Sequence, residues 1–328
     1  MPDPKPNLEQ LQDQLQQAEL AGDPWRQGIA LNNLGSYFKD LRETGKAIAY
    51  FHKALEFFTA LDDREKKATV LTNLGGTYLD SRDHARALEQ FALALGTYGS
   101  LNHAFGQAMA LNNMGGVQLS LRRFEEARKQ FILAASFFRS AQTPSWEAQA
   151  LENLAAAEGG AGDTKAAVES YGRALEIWQK QDQLDRQAMI LNRLAALHLA
   201  SGDNRRSLEL HSRALVLAQK ANHVPLAAGI RASLGRLYFD ARNFNAARTE
   251  FQAALLSYEE LGDKRGQANA LLHLGKIDFA TGQDLVIQAA KLFRESGDSG
   301  GEKQAREILS RVQIEPSDVS AKVKDKPA

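Results

Sequence analysis

The sequence predicts an all-α fold, a solenoid of helical hairpins, and two observations carry that prediction. A five-residue phrase returns every forty residues: Leu31-Asn32-Asn33-Leu34-Gly35, Leu71-Thr72-Asn73-Leu74-Gly75, Leu111-Asn112-Asn113-Met114-Gly115. It continues, more worn, as Leu151-Glu152-Asn153-Leu154-Ala155, Leu191-Asn192-Arg193-Leu194-Ala195, Arg231-Ala232-Ser233-Leu234-Gly235 and Leu271-Leu272-His273-Leu274-Gly275. Within each return, apolar residues recur at steps of three and four in two segments parted by a polar break, which is the periodicity of a helix with one buried stripe. Seven returns in register, with no insertion, mean one hairpin stacked seven times, because such a unit buries its apolar face only against its neighbours.

Taken in order, residues 1–6 are polar and proline-rich, too polar to open a secretory signal, and are expected to be disordered. Residues 7–23 carry Leu8, Leu11, Leu15 and Ala18 on one stripe with glutamines outside, which predicts a capping helix equivalent to the second helix of a hairpin. Seven units follow at 24–63, 64–103, 104–143, 144–183, 184–223, 224–263 and 264–299. In the second of them Ala68, Leu71, Leu74 and Tyr78 mark the first helix, and Ala87, Phe91, Ala94 and Tyr98 the second. Pro24, Pro144 and Pro225 fall at the first turn of first helices, where a missing N–H costs nothing. Thr44-Gly45, Gly162-Asp163, Gly202-Asp203, Asn243 and Gly282 suit helix ends and caps. In the seventh unit the segment Leu285 to Phe293 comes about five residues early, which predicts a short second helix and a local kink. Residues 300–313, with Ile308 and Leu309, read as a polar last cap, and 314–328 as a disordered tail.

A small residue recurs at Ala47, Ala87, Ala127, Ala167, Ser207 and Ala247, followed by Phe51, Phe91, Phe131, Tyr171, His211 and Phe251, then by Ala54, Ala94, Ala134, Ala174, Ala214 and Ala254. With the Leu-Gly pair and the aromatics Phe38, Tyr78 and Tyr238, the pattern resembles the tetratricopeptide repeat. The family's usual unit is about 34 residues, so this is a long-repeat variety. It is similar in style to the Pins spindle adaptors, kinesin light chain and bacterial regulators. The resemblance implies a right-handed superhelix with first helices lining a concave groove.

That groove would present Ile29, Asn32, Asn33, Ser36 and Asp40, then Thr69, Thr72, Asn73, Gly76 and Asp80, then Met109, Asn112, Asn113, Gly116 and Ser120. Carboxamides donate and accept at once and so match the alternating groups of an extended backbone. The resemblance assigns that backbone-holding role to Asn33, Asn73, Asn113 and Asn153. In later units the corresponding stretch holds Asn192, Arg193, Arg236, His273 and Lys276, with Asp240 the acid, whereas the early ones offer Asp40, Asp80 and Glu152 and no base. Such a change of sign would orient a ligand and place its acidic segment at the later end. The family's carboxylate-clamp spacing is not reproduced.

Forty basic and forty acidic residues leave no net field for nucleic acid or an anionic membrane, and no run of about 18 apolar residues offers a membrane span. With no cysteine, thiolate chemistry and zinc–cysteine sites are excluded. His198 and His211 are expected to pack together between paired helices and satisfy one another. Glu158-Gly159-Gly160-Ala161-Gly162 lacks the Gly-Lys-Ser/Thr ending of a phosphate loop and reads as a weakened helix end and hinge. No catalytic arrangement, metal site or cofactor is expected. The reading is a cytoplasmic, monomeric, non-enzymatic scaffold that binds a protein or peptide with an acidic segment. The alternative is a regulatory or sensor subunit for an effector enzyme or transcription factor in another chain.

Overall fold

The computed structural model of the chain describes residues 7–278 and 282–311. The expectations of disorder at 1–6 and 314–328, and the last two residues of the terminal cap, lie outside them. Every described element is helical. The helices are α1 (Leu8–Leu20), α2 (Pro24–Asp40), α3 (Thr44–Ala60), α4 (Arg64–Asp80), α5 (His84–Ser100), α6 (Ala104–Ser120), α7 (Phe124–Ser140) and α8 (Pro144–Gly160). They continue as α9 (Thr164–Lys180), α10 (Leu184–Ala200), α11 (Asn204–Lys220), α12 (Val224–Asp240), α13 (Phe244–Glu260), α14 (Lys264–Ile277), α15 (Gln283–Glu295) and α16 (Ser299–Arg311). Consecutive helices pack as hairpins. Even-numbered helices from α2 to α14 are the first of each hairpin and odd-numbered ones the second. Two compact units divide within α9, one up to Ile177 and one from Trp178.

Beneath the forty-residue repeat runs a stricter one of twenty: a helix of 17 residues, then a three-residue turn. The turn's middle residue is left-handed at every step from Gly22 to Gly262, with φ between 52° and 87°, and nine of these residues are not glycine. The N–H of the following residue bonds back into the finished helix, as Glu43 to the Phe38 carbonyl (2.9 Å) and Asp63 to that of Phe58 (3.0 Å). This Schellman closure satisfies carbonyls that a helix end would otherwise leave bare. That same residue caps the next helix in many turns. Asp63, Asp83, Asp163, Asp203 and Asn243 accept from the N3 amide, and His103 and His223 do so through Nδ1, which requires that nitrogen unprotonated. Thr44 and Gly45 differ from expectation. The cap position before α3 is Glu43, without a side-chain bond, and both residues lie inside the helix.

The core of the first unit explains the recurring Leu-Gly pair. A Cβ on Gly35 would stand 2.7 Å from the ring of Phe51, one on Gly75 2.7 Å from Phe91, and one on Gly115 2.7 Å from Phe131. The second helix thus drives an aromatic ring onto the first helix's bare backbone. The small residue one turn earlier, Ala47, Ala87 or Ala127, is fully buried at the same crossing. In α1, Leu11 and Ala18 are buried and Leu8 and Leu15 pack on the same cluster, which closes this end.

In the second unit the same device pairs Gly235 with Phe251 (2.9 Å). The hairpin of α14 and α15 is irregular, with α14 ending at Ile277 and α15 only 13 residues long. Val286, Ala289, Ala290 and Phe293 bury its inner stripe, and Ala305 and Leu309 of α16 cover it, with Ile308 half-buried beside them.

Candidate functional site

In the first unit the first helices α2, α4, α6 and α8 touch one another in succession and share one face. All the asparagines predicted there, Asn32, Asn33, Asn73, Asn112, Asn113 and Asn153, are half-buried. The structure uses them unequally. Asn73 donates to Asn32 at 2.9 Å, and Asn153 donates to Asn112 at 3.0 Å. The bond between α4 and α6 is missing because Thr72 stands where an amide would accept, and its hydroxyl donates back to the Ala68 carbonyl (2.9 Å). Asn113 therefore has no side-chain hydrogen-bond partner among the described residues, and Asn33 has none either. Beside Asn113, a Cβ on Gly116 would meet nothing within 4 Å.

Sequence reading found no base on this face, and the structure corrects it. The Lys39 ammonium lies 3.7 Å from Asp80 and 2.9 Å from where a Cβ on Gly76 would be, so it covers that glycine and offsets that acid. Lys39 was missed because it sits one residue before the column of Asp40 and Asp80, at a position that Leu79 and Leu119 fill in the next two repeats. Lys39, Asp40, Arg42, Thr44, Thr77 and Asp80 line a polar cavity of about 310 Å³ at this edge.

In the second unit Arg193 is exposed on α10 beside half-buried Asn192. Arg236 on α12 is exposed, and Lys276 on α14 is half-buried. His273 is foremost a packing residue, which qualifies its prediction as a groove contact. Its ring stacks on Phe251 at 4.7 Å and 7° and meets Phe239 edge-on, and its Nδ1 is buried with no hydrogen-bond partner among the described residues. Burial, then the charges of Lys276 and Arg236, push its pKa down to about 4, so the ring is neutral near pH 7. Burial also lowers Lys276, against the pull of Asp240.

The two histidines expected to satisfy each other have other partners. His198 faces Asp203 at 3.5 Å, and the buried His211 Nδ1 lies 3.0 Å from the Ser207 carbonyl and 3.3 Å from its hydroxyl. Asp203, Ser207 and His211 supply the residue types of a catalytic triad, but Ser207 and His211 are 0% and 2% exposed and bonded within one helix turn, so no substrate atom reaches the hydroxyl. Glu158 is another buried polar group. It is 5% exposed, and burial raises its carboxyl pKa against the Ser170 hydrogen bond and the charge of Arg128, 3.9 Å away. Among the described residues no group of three or more histidine, aspartate or glutamate side chains could hold a metal, and no helix is long and apolar enough to cross a membrane.

A search of curated proteins finds no match. Solved structures similar in fold include aspartyl phosphate phosphatase F from Bacillus subtilis, with TM-score 0.60, 19% identity, 94% of this chain and 76% of that one covered. The apo form of RapI gives TM-score 0.60 at 16% identity over 87% of this chain and 99% of that one. A Rap protein complexed with competence and sporulation factor gives 0.53 at 16% over 97% and 82%. Residues 26–99 and 106–180 match the family profile of the tetratricopeptide repeat. The chain thus carries tetratricopeptide repeats over those residues, and the same hairpin continues from α10 to α13 in the same forty-residue register.

Proposed function

We propose that the chain is a non-catalytic protein-interaction scaffold whose first-helix face holds an extended segment of a partner. The observation that carries this reading is the pair of amides left unpartnered, Asn33 and Asn113, standing two repeats apart among asparagines that are already paired. A half-buried amide without a partner can serve an incoming backbone, and the open space over Gly116 gives that backbone room beside Asn113. Asn32, Asn73, Asn112 and Asn153 hold neighbouring first helices in register and present their remaining donors and acceptors. The regulatory alternative uses the same surface. Its support is that one Rap neighbour of this fold was solved with a factor bound.

The test separates binding from folding. Gly116→Leu puts a side chain where a partner backbone would run, starting from a Cβ that meets nothing within 4 Å. Helix propensity alone should raise stability by up to about 1 kcal/mol. Partner recovery from a cell extract, quantified by mass spectrometry, is expected to fall with Gly116→Leu and Asn113→Ala while the melting temperature holds or rises. Unchanged recovery with both variants overturns the reading.

A further inference from the structure

We propose that Arg236 and Lys276 together bind an oxyanion, carboxylate or phosphate, at a site on the first-helix face of α12 and α14. This deepens the preceding reading and rests on it for the ligand being part of a partner. The two residues share one register position forty residues apart, on helices that touch. Around them the structure pairs its cations. Arg231 binds Glu250 at 3.3 Å, Arg248 binds Asp278, Lys264 binds Glu295 at 2.9 Å and Arg265 binds Asp298 at 2.8 Å. Arg236 and Lys276 have no ion-pair partner within 4.0 Å among the described residues.

The surroundings make that unpaired charge costly. Lys276 is half-buried and Phe239, Phe251 and His273 form an aromatic floor nearby, so its ammonium has given up water without gaining a full partner. The charges of Arg236 from α12 and Lys276 from α14 are both felt at His273, Asp240 from α12 acts on Lys276, and Arg236 is felt as well at His211 of α11, whose pKa is lowered. With both histidines neutral, Arg236, Lys276 and Asp240 leave one net positive charge. An oxyanion supplies the missing countercharge, with the guanidinium fork suited to two of its oxygens and the ammonium to a third direction.

His273 reports on the site from beneath. Its pKa of about 4 partly reflects the positive charge of Lys276 and Arg236, and a bound anion cancels that charge and raises the value. The experiment uses the full chain at constant ionic strength set with chloride, titrated in separate arms with inorganic phosphate and with acetate. Imidazole NMR signals are followed, and His273→Gln identifies the reporter. Calorimetry at pH 7 runs alongside, so that acid sensitivity of the fold leaves the test intact.

Saturable binding of either probe is expected, with an upward shift of the His273 pKa. Affinity should be about tenfold weaker in Arg236→Gln with Lys276→Gln, and unchanged in Arg205→Gln, an exposed cation on α11. The arm that saturates tells carboxylate from phosphate. No saturation in either arm, or equal binding by the double variant, overturns the proposal. Neither probe involves Asn33, Asn113 or Gly116, so a positive result stands even where the backbone-holding reading fails, and a negative one leaves that reading untouched.

Discussion

At the scale of single residues, packing is governed by a ring placed where a first helix has no Cβ. Gly75→Ala forces a methyl group to within 2.7 Å of the Phe91 ring, and overpacking of this kind costs about 1–3 kcal/mol. Phe91→Leu in the same chain should recover part of that loss, a coupling that urea midpoints of the two single variants and the double would read. Buried ionisable groups set the response to pH. Glu158 has a pKa raised from the ordinary 4.5, so above that value the folded state holds its proton longer than the unfolded chain, and stability falls as pH rises through that window. Glu158→Gln is therefore expected to melt higher than the parent at pH 7 and equally at pH 4. His273 works in the opposite direction. Its pKa is lowered from 6.5 to about 4, so stability is lost as pH falls between those values, and His273→Gln should flatten that limb of a melting-temperature profile. Register alone located the asparagines, whereas their pairing depends on what the neighbouring repeat supplies at the facing position. Thr72 breaks a ladder that Asn32 and Asn112 complete, and no reading of one repeat at a time shows that.

At the scale of elements, the forty-residue phrase was legible and the twenty-residue turn beneath it was not. Glycines at Gly162 and Gly202 announce a left-handed residue, but Arg42, Arg82, Arg122 and Gln142 take the same conformation without any signature of their own. The Schellman bonds and following caps hold them there, against a left-handed penalty of about 1–2 kcal/mol for a residue with a Cβ. Gly162→Ala and Gly202→Ala should accordingly each lose about 1 kcal/mol. Arg122→Gly should stay within about 0.5 kcal/mol of the parent, since relief of strain is offset by the unfolded chain's added freedom. Equal losses at both kinds of turn in chemical denaturation would show that backbone conformation is not what distinguishes them. Column drift is a second limit on legibility. The slot held by Phe38, Tyr78 and Tyr238 passes to Gln118, Glu158 and His198, and in the first of these pairs the ring of Phe131 still lies against Gly115.

At the scale of the whole molecule, the two periods make different predictions for excision. Removing residues 64–103 joins Asp63 to Ala104. Asp62 stays left-handed, Asp63 caps α6 in place of His103, and Phe58 meets Gly106 where the similar ring of Tyr98 had been. Every contact between neighbours is replaced by its counterpart, and in a chain whose stability sums over repeats and their interfaces this subtracts one repeat's share. Removing only residues 84–103 preserves the turn equally well, yet it sets a first-type helix in a second-type place. Gln107 then falls where Ala87 was fully buried, Leu111 where Phe91 covered Gly75, and Gln118 where Tyr98 packed. A bulky amide at the tightest helix crossing has no room and no partner. The forty-residue deletion should keep its helical circular dichroism per residue and a sharp melt at a lower temperature, and the twenty-residue deletion should lose the cooperative transition. If both melt alike, the turn geometry rather than the alternation of helix faces is what specifies this fold.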